Sequence, residues 1–304
     1  KAGIRQPILM LEACYQADEL PLFAEWELTP VLHAMWQVDA LIAARLPVRL
    51  PVYLKLDTGM HRLGLTAGEF ARALARLDAA GCAASITVMT HFADADEDRG
   101  IAEQMNCLHT MTNGQTLPLS LANSAALLRF PESHADWVRP GIMLYGASPF
   151  PARQSAETLD LKPVMTLASE LIGVRDIAAG DRVGYGGTFV AEQPMRIGIV
   201  ACGYGDGYPR HAPTGTPVLV AGQRTRTLGR VSMDKLCVDL SVLEAQGKKA
   251  GAKVGADETV GIGTPVTLWG DGLPADDVAT AAGTVAYELF CAVAARVQLV
   301  DADQ

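Results

Sequence analysis

In this 304-residue sequence, the side chains able to do chemistry recur just after short apolar runs. Arg62 follows PVYLKLD (51–57) in the stretch LKLDTGMHRLG, and His91 closes ITVMTH (86–91). Asn123 and Ser124 follow LPLSLA (117–122), and Arg139 closes DWVR (136–139). All are ligand-contacting types. Pro140 suits the first position of a helix, and Gly141 and Ile142 would then offer free N–H groups to a phosphate. A second reading stays open, in which GIMLYG is a buried strand. Further on, Tyr185 in VGYGGTF and Tyr208 in GYGDGYPR are flanked by glycines. Such glycines allow a sharp turn and a projecting phenol, although a turn around a packed aromatic fits the local pattern better.

The elements that must position these residues follow from periodicity. Strand-like runs at 7–12, 28–32, 51–57, 86–91, 117–122 and 136–139 alternate with helical stretches such as 33–46, 67–81 and 124–128, the last capped by Asn123. Buried strands separated by helices predict a parallel sheet with βαβ crossovers. In a (β/α)₈ barrel, chemistry belongs at the carboxyl ends of the strands, which is where Arg62, His91, Asn123, Ser124 and Arg139 fall. Six strands are two short of such a barrel. At about 30 residues per βα unit, the expectation is a TIM-type barrel over 1–158 lacking its first two units. From residue 159 to 304 short strands between Gly, Pro and Asp turns predict a mostly antiparallel β domain, with one helix near 275–290 and an exposed segment at 245–261.

Composition narrows the function. A net charge of −9 argues against a nucleic-acid or anionic-membrane partner, while leaving room for a local basic pocket. No apolar run reaches the length of a membrane span, and the start does not read as a signal sequence. Six scattered cysteines without a CxxC pair suit buried, reduced thiols in the cytoplasm. The six histidines show no HExxH and no accompanying cysteine cluster, so no metal site is expected. SMDK (232–235) fits the SxxK pattern of serine acyl-enzymes, but the companion SDN and KTG elements are absent.

Together MHRLG (60–64), VRPGIMLYG (138–146), VGYGGTF (183–189) and GRVSMD (229–234) resemble the alanine racemase family. These are pyridoxal 5′-phosphate (PLP) enzymes built from a (β/α)₈ barrel and a C-terminal β domain. The resemblance covers about Ala2 to Val300 and implies alanine as substrate, PLP as cofactor and a homodimer with shared active sites. Residue by residue, it implies that Arg139 faces the pyridine nitrogen and that Arg62 bonds the phenolic oxygen and the substrate carboxylate. His91 would pack near the ring. Ser124, the Gly141 and Ile142 amides and Tyr287 would bind phosphate, with Asn123 in the same shell. Tyr185 would be the base on one substrate face, reaching the partner's site. The Met233 amide would contact the substrate carboxylate, supported by Asp234, and Lys55 matches a position that can be carbamylated.

One family element has no counterpart. The second base, which also carries PLP covalently, is a lysine in a KANAYGHG-like motif after the first barrel strand. Here the lysines are Lys1, Lys55, Lys162, Lys235, Lys248, Lys249 and Lys253, and none follows such a strand. The strand count and the lysine point to the same expectation, an N-terminally truncated racemase that is inactive by itself. The alternative is a PLP-binding relative without catalysis, though such proteins generally lack a β domain like that from residue 159 on.

Overall fold

The computed structural model describes residues 3–241, 243 and 260–301. Two compact units divide the chain, Lys1–Gly141 and Ile142–Gln304.

In the first unit, β1 (Ile8–Met10), β2 (Leu28–Leu32), β3 (Leu50–Lys55), β4 (Ala83–Met89) and β5 (Leu119–Ser120) alternate with α1 (Leu20–Glu25), α2 (Met35–Ala44), α3 (Ala67–Ala80) and α4 (Ala102–Thr112), and α5 (Ser124–Arg129) follows. All strand pairs are parallel and the strands lie side by side in chain order. An unreversed order is that of a barrel wall, whereas a doubly wound sheet reverses at a switch point. Val31, Leu32, Val52, Leu54 and Val88 are fully buried, which explains why β2 to β4 read as apolar runs. Two of the helices start where the sequence supplies a side-chain cap. Thr66 and Glu69 form a capping box at α3, which Gly81 ends in the left-handed region, and Asn123 accepts from the Ala126 N–H at α5.

The expected sixth strand at 136–139 does not form. One parallel bridge joins Ser120 and Trp137, and Arg139 donates its N–H to the Ala122 carbonyl at 2.8 Å. Trp137 and Val138 stay exposed, so neither supplies a buried face, and Pro140 has no N–H with which to extend a ladder.

The second unit holds a closed antiparallel barrel of β6 (Leu167–Ile177), β9 (Met195–Val200), β10 (Pro217–Val220), β11 (Gln223–Leu228), β12 (Leu236–Asp239) and β13 (Pro265–Trp269). Closure leaves no free edge. Leu171, Val200, Val218, Val238, Leu268 and Trp269 fill the core. A hairpin of β7 (Arg182–Val183) and β8 (Phe189–Val190) frames the turn that carries Tyr185. The single helix expected near 275–290 is instead two, Ala275–Ala282 and Ala286–Ala292. Gly283, at φ +73°, adopts the left-handed conformation that terminates the first. The segment expected at 245–261 lies outside the described residues apart from Val260 and Gly261.

All six cysteines are free. Only Cys14 and Cys202 are buried, however, and Cys291 is exposed, so burial was expected too broadly. Among the described residues no helix is long and apolar enough to cross a membrane, and no group of three or more ligands could hold a metal ion.

Candidate functional site

The carboxyl end of the parallel sheet gathers four basic side chains. Lys55 ends β3 and is buried. Beyond it the chain loops through Arg62 and folds back, with the Leu65 N–H donating to the Lys55 carbonyl at 2.8 Å and the Asp57 N–H to the Leu65 carbonyl at 3.1 Å. Asp57 ties the same loop from within, its carboxylate accepting from the Gly59 and His61 N–H groups at 3.1 and 2.9 Å. Gly64 makes the return possible. Its φ is +149°, and an added Cβ would lie 2.4 Å from the Asp57 nitrogen. Gly64→Ala is therefore expected to push the Arg62 loop off β3 and cost on the order of 3 kcal/mol, read as a lower unfolding midpoint. A midpoint equal to the parent's would contradict this close approach.

Arg139 is anchored at three acceptors. Its Nη1 donates to Ser120 Oγ at 2.8 Å, and its Nη2 to the Thr90 and Leu121 carbonyls at 2.7 and 3.2 Å. Burial pushes its pKa down to about 10, opposed by Tyr53, so the guanidinium stays charged at neutral pH. His91 lies two residues beyond β4. Burial first, then Arg139, Arg62 and Lys55, push its pKa down to about 4, which leaves a neutral imidazole among cations. Lys55 is lowered by burial and by Arg62, with Glu12 opposing.

The structure thus brings Lys55, Arg62, His91 and Arg139 into one electrostatic neighbourhood. Asn123 serves its helix, its Oδ1 accepting from Ala126 and its Nδ2 donating to the Phe92 carbonyl at 3.3 Å. Ser124 is buried, and its Oγ accepts from the Gly141 N–H at 2.8 Å. Two rim residues escaped sequence reasoning. Glu12 follows β1 and His33 follows β2, and the same strand-end rule would have found both.

The His91 shift sets a pH dependence. Its folded pKa lies below the ordinary 6.5, so the fold favours the uncharged ring. The stability this adds is complete above about pH 6.5 and is lost as pH falls towards 4. At roughly 1.4 kcal/mol per pKa unit it amounts to at most about 3 to 4 kcal/mol. Urea midpoints should fall more steeply in that window for the parent than for His91→Gln. Parallel profiles would contradict the assignment.

The second unit carries the remaining candidates. Tyr185 opens a tight turn between Gly184 and Gly186, at φ +71° and +72°, and is 68% exposed. Gly186 lets the Arg230 guanidinium close on the turn, since an added Cβ would lie 3.3 Å from Nη1. Tyr208 is different. It is buried, and its hydroxyl has no hydrogen-bond partner among the described residues. Of the two glycine-flanked tyrosines, one projects and the other is a packed aromatic.

Met233 is exposed, and its carbonyl accepts from the Gly205 N–H at 2.8 Å. Asp234 pairs with Arg296 Nη2 at 2.7 Å, while Arg296 Nε reaches Asp206 at 2.8 Å. Arg296 and Asp206 were not singled out from sequence. The span Ile142–Tyr145 is a 3₁₀ turn, not a strand, and the Ile142 N–H donates to the Tyr287 hydroxyl at 2.7 Å.

Residues 1–149 match the family described as alanine racemase, N-terminal domain, and residues 164–300 match alanine racemase, C-terminal domain. The chain is 55% identical over 297 residues to the alanine racemase of Thiobacillus denitrificans, covering 98% of this chain and 77% of that protein. It is 50% identical over 298 residues to the catabolic alanine racemase of Salmonella typhimurium, covering 98% and 80%. The crystal structure of the biosynthetic alanine racemase from Pseudomonas aeruginosa superposes with a TM-score of 0.87 at 46% identity, covering 96% and 78%.

Proposed function

The chain belongs to the alanine racemase family, and we propose that it carries the machinery to interconvert L-alanine and D-alanine with PLP. In this reading residues 1–158 form the cofactor-binding barrel domain and 159–304 the β domain. The observation that carries it is the rim itself, where Lys55, Arg62 and Arg139 surround a neutral His91.

PLP is an anionic, phosphorylated pyridine, and these donors fit it. Arg139, locked by three acceptors, would present a fixed N–H to the ring nitrogen and, being always charged, would keep that nitrogen largely unprotonated. Neutral His91 would pack near the ring without adding charge. Arg62, exposed on its tied loop, would hold the phenolic oxygen and the substrate carboxylate. Ser124 and the Gly141 amide would receive phosphate in the first unit, with Asn123 close by, and the Ile142 amide and Tyr287 offer the same chemistry in the second. A buried Lys55 with lowered basicity suits carbamylation, and the added carboxylate would offset the charge of Arg62.

Bound PLP delocalises the negative charge left on the substrate Cα when its proton departs. The chain must then orient alanine and move that proton. Tyr185 would take or return it on one face, in the site of the partner subunit of a homodimer. The Met233 amide would hold the substrate carboxylate, with Asp234 and Arg296 steadying it. The opposite base is the cofactor-bearing lysine, which these 304 residues do not include.

With a lysine-bearing barrel start placed before these residues, the protein should convert L-alanine to D-alanine, followed by chiral chromatography. PLP binding with L-alanine optically unchanged would refute the reading. The 304-residue polypeptide alone should bind PLP without racemising, and borohydride should leave no PLP–lysine mass adduct; such an adduct would contradict it.

A further inference from the structure

Beneath the rim lies a buried chain of polar side chains with one direction. Gln104, on α4 and 6% exposed, donates from Nε2 to Thr58 Oγ1 at 3.0 Å and to the His91 carbonyl at 3.1 Å. Its Oε1 accepts from the Ala93 N–H at 2.8 Å. Thr58 and Thr90 join through their hydroxyls at 2.7 Å, and Thr90 Oγ1 donates to the Leu56 carbonyl at 3.1 Å. A hydroxyl has one proton, and that of Thr90 is committed to Leu56. Thr58 therefore donates to Thr90 and accepts from Gln104, so the run Gln104, Thr58, Thr90, Leu56 is oriented throughout. Oriented hydrogen bonds polarise one another, and in a buried setting each unmet group is costly.

What this chain joins gives it meaning. Thr58 belongs to the loop that carries Arg62, and Gln104 holds the backbone of His91 and of Ala93. The carbonyl of Thr90 is the acceptor of Arg139 Nη2 at 2.7 Å. Three groups of the rim thus rest on one amide side chain that touches none of their functional ends. We infer that Gln104 is a positioning residue that fixes the Arg62 loop, His91 and, through Thr90, Arg139 in one arrangement for the cofactor ring. The link to the cofactor rests on the proposed function; the link to His91 does not.

The test uses the 304-residue chain and two readouts. The first is the His91 ring resonance, assigned by its loss in His91→Gln, which should stay flat in the parent from about pH 7 to about pH 5.5 because burial first, and then Arg139, Arg62 and Lys55, keep the ring neutral. In Gln104→Leu a protonation step should enter that range as the segment loosens into water. The second is the dissociation constant of added PLP, expected to rise about tenfold. Thr58→Val breaks the same chain with less change of shape and should move both readouts in the same direction, whereas Thr58→Ser keeps the hydroxyl and should match the parent. If Gln104→Leu does not fold, the Thr58 pair decides. A His91 resonance still flat in folded Gln104→Leu, or in Thr58→Val, would overturn the positioning role. If PLP fails to bind the parent while the His91 step appears as expected, the proposed function falls and the positioning role stands.

Discussion

On the proposed function, a Tyr185→Phe substitution in the chain extended by a lysine-bearing barrel start is expected to slow racemisation by about two to four orders of magnitude, without loss of fold. The structure separates the two effects. Tyr185 is 68% exposed on a turn shaped by Gly184 and Gly186, so removing one oxygen disturbs no packing. The phenol's only assigned task is proton transfer on one face of the substrate. Phe keeps the ring and deletes the proton carrier. PLP affinity and unfolding midpoint should match the parent. Exchange of the Cα hydrogen with solvent should survive for one enantiomer, served by the opposite base, and vanish for the other. A variant racemising at the parent's rate would remove Tyr185 from the reaction.

Arg139→Leu should have the next largest effect, through fold and cofactor together. It leaves Ser120 Oγ and the Thr90 and Leu121 carbonyls without their donor, a cost on the order of 2 to 3 kcal/mol. It also removes the cation that, after burial, does most to lower the His91 pKa, so His91 should titrate closer to its ordinary value. Arg139→Lys distinguishes geometry from charge. An ammonium keeps the charge, so His91 should stay depressed, but a compact point charge cannot reproduce the planar fork that spans three acceptors. PLP binding should therefore weaken in both variants while His91 responds only in the first. Parent-like PLP affinity in Arg139→Lys would show that charge alone is required.

The rim was legible in sequence because a parallel sheet leaves a simple trace. Runs such as PVYLKL and ITVM are buried or half-buried throughout, and a polar residue soon after them marks a strand end. That rule placed His91 and Ser124 just beyond β4 and β5, where the structure has them. It failed at 136–139, where an apolar pair before a proline looked like a strand although Trp137 and Val138 are exposed. It also missed the break at Gly283, visible as a glycine yet outweighed by the apolar period on either side. Closure of the second barrel was not legible, since it depends on β10 meeting β13 across a long stretch of chain. The supporting residues were hidden for the same reason. Gln104 and Thr58 are 46 positions apart, and Arg296 and Asp206 are 90 apart. A buried glutamine on a helix has no local signature.

The central claim, that this chain holds one of two opposed bases of an alanine racemase, is tested most directly by racemisation in deuterium oxide. The chain extended by a lysine-bearing barrel start is given protiated L-alanine, and each enantiomer is analysed by mass at early times. D-alanine carrying one deuterium at Cα, beside remaining L-alanine that is still protiated, is the predicted result. D-alanine that retains the original proton, or no D-alanine at all from protein with PLP bound, would contradict it.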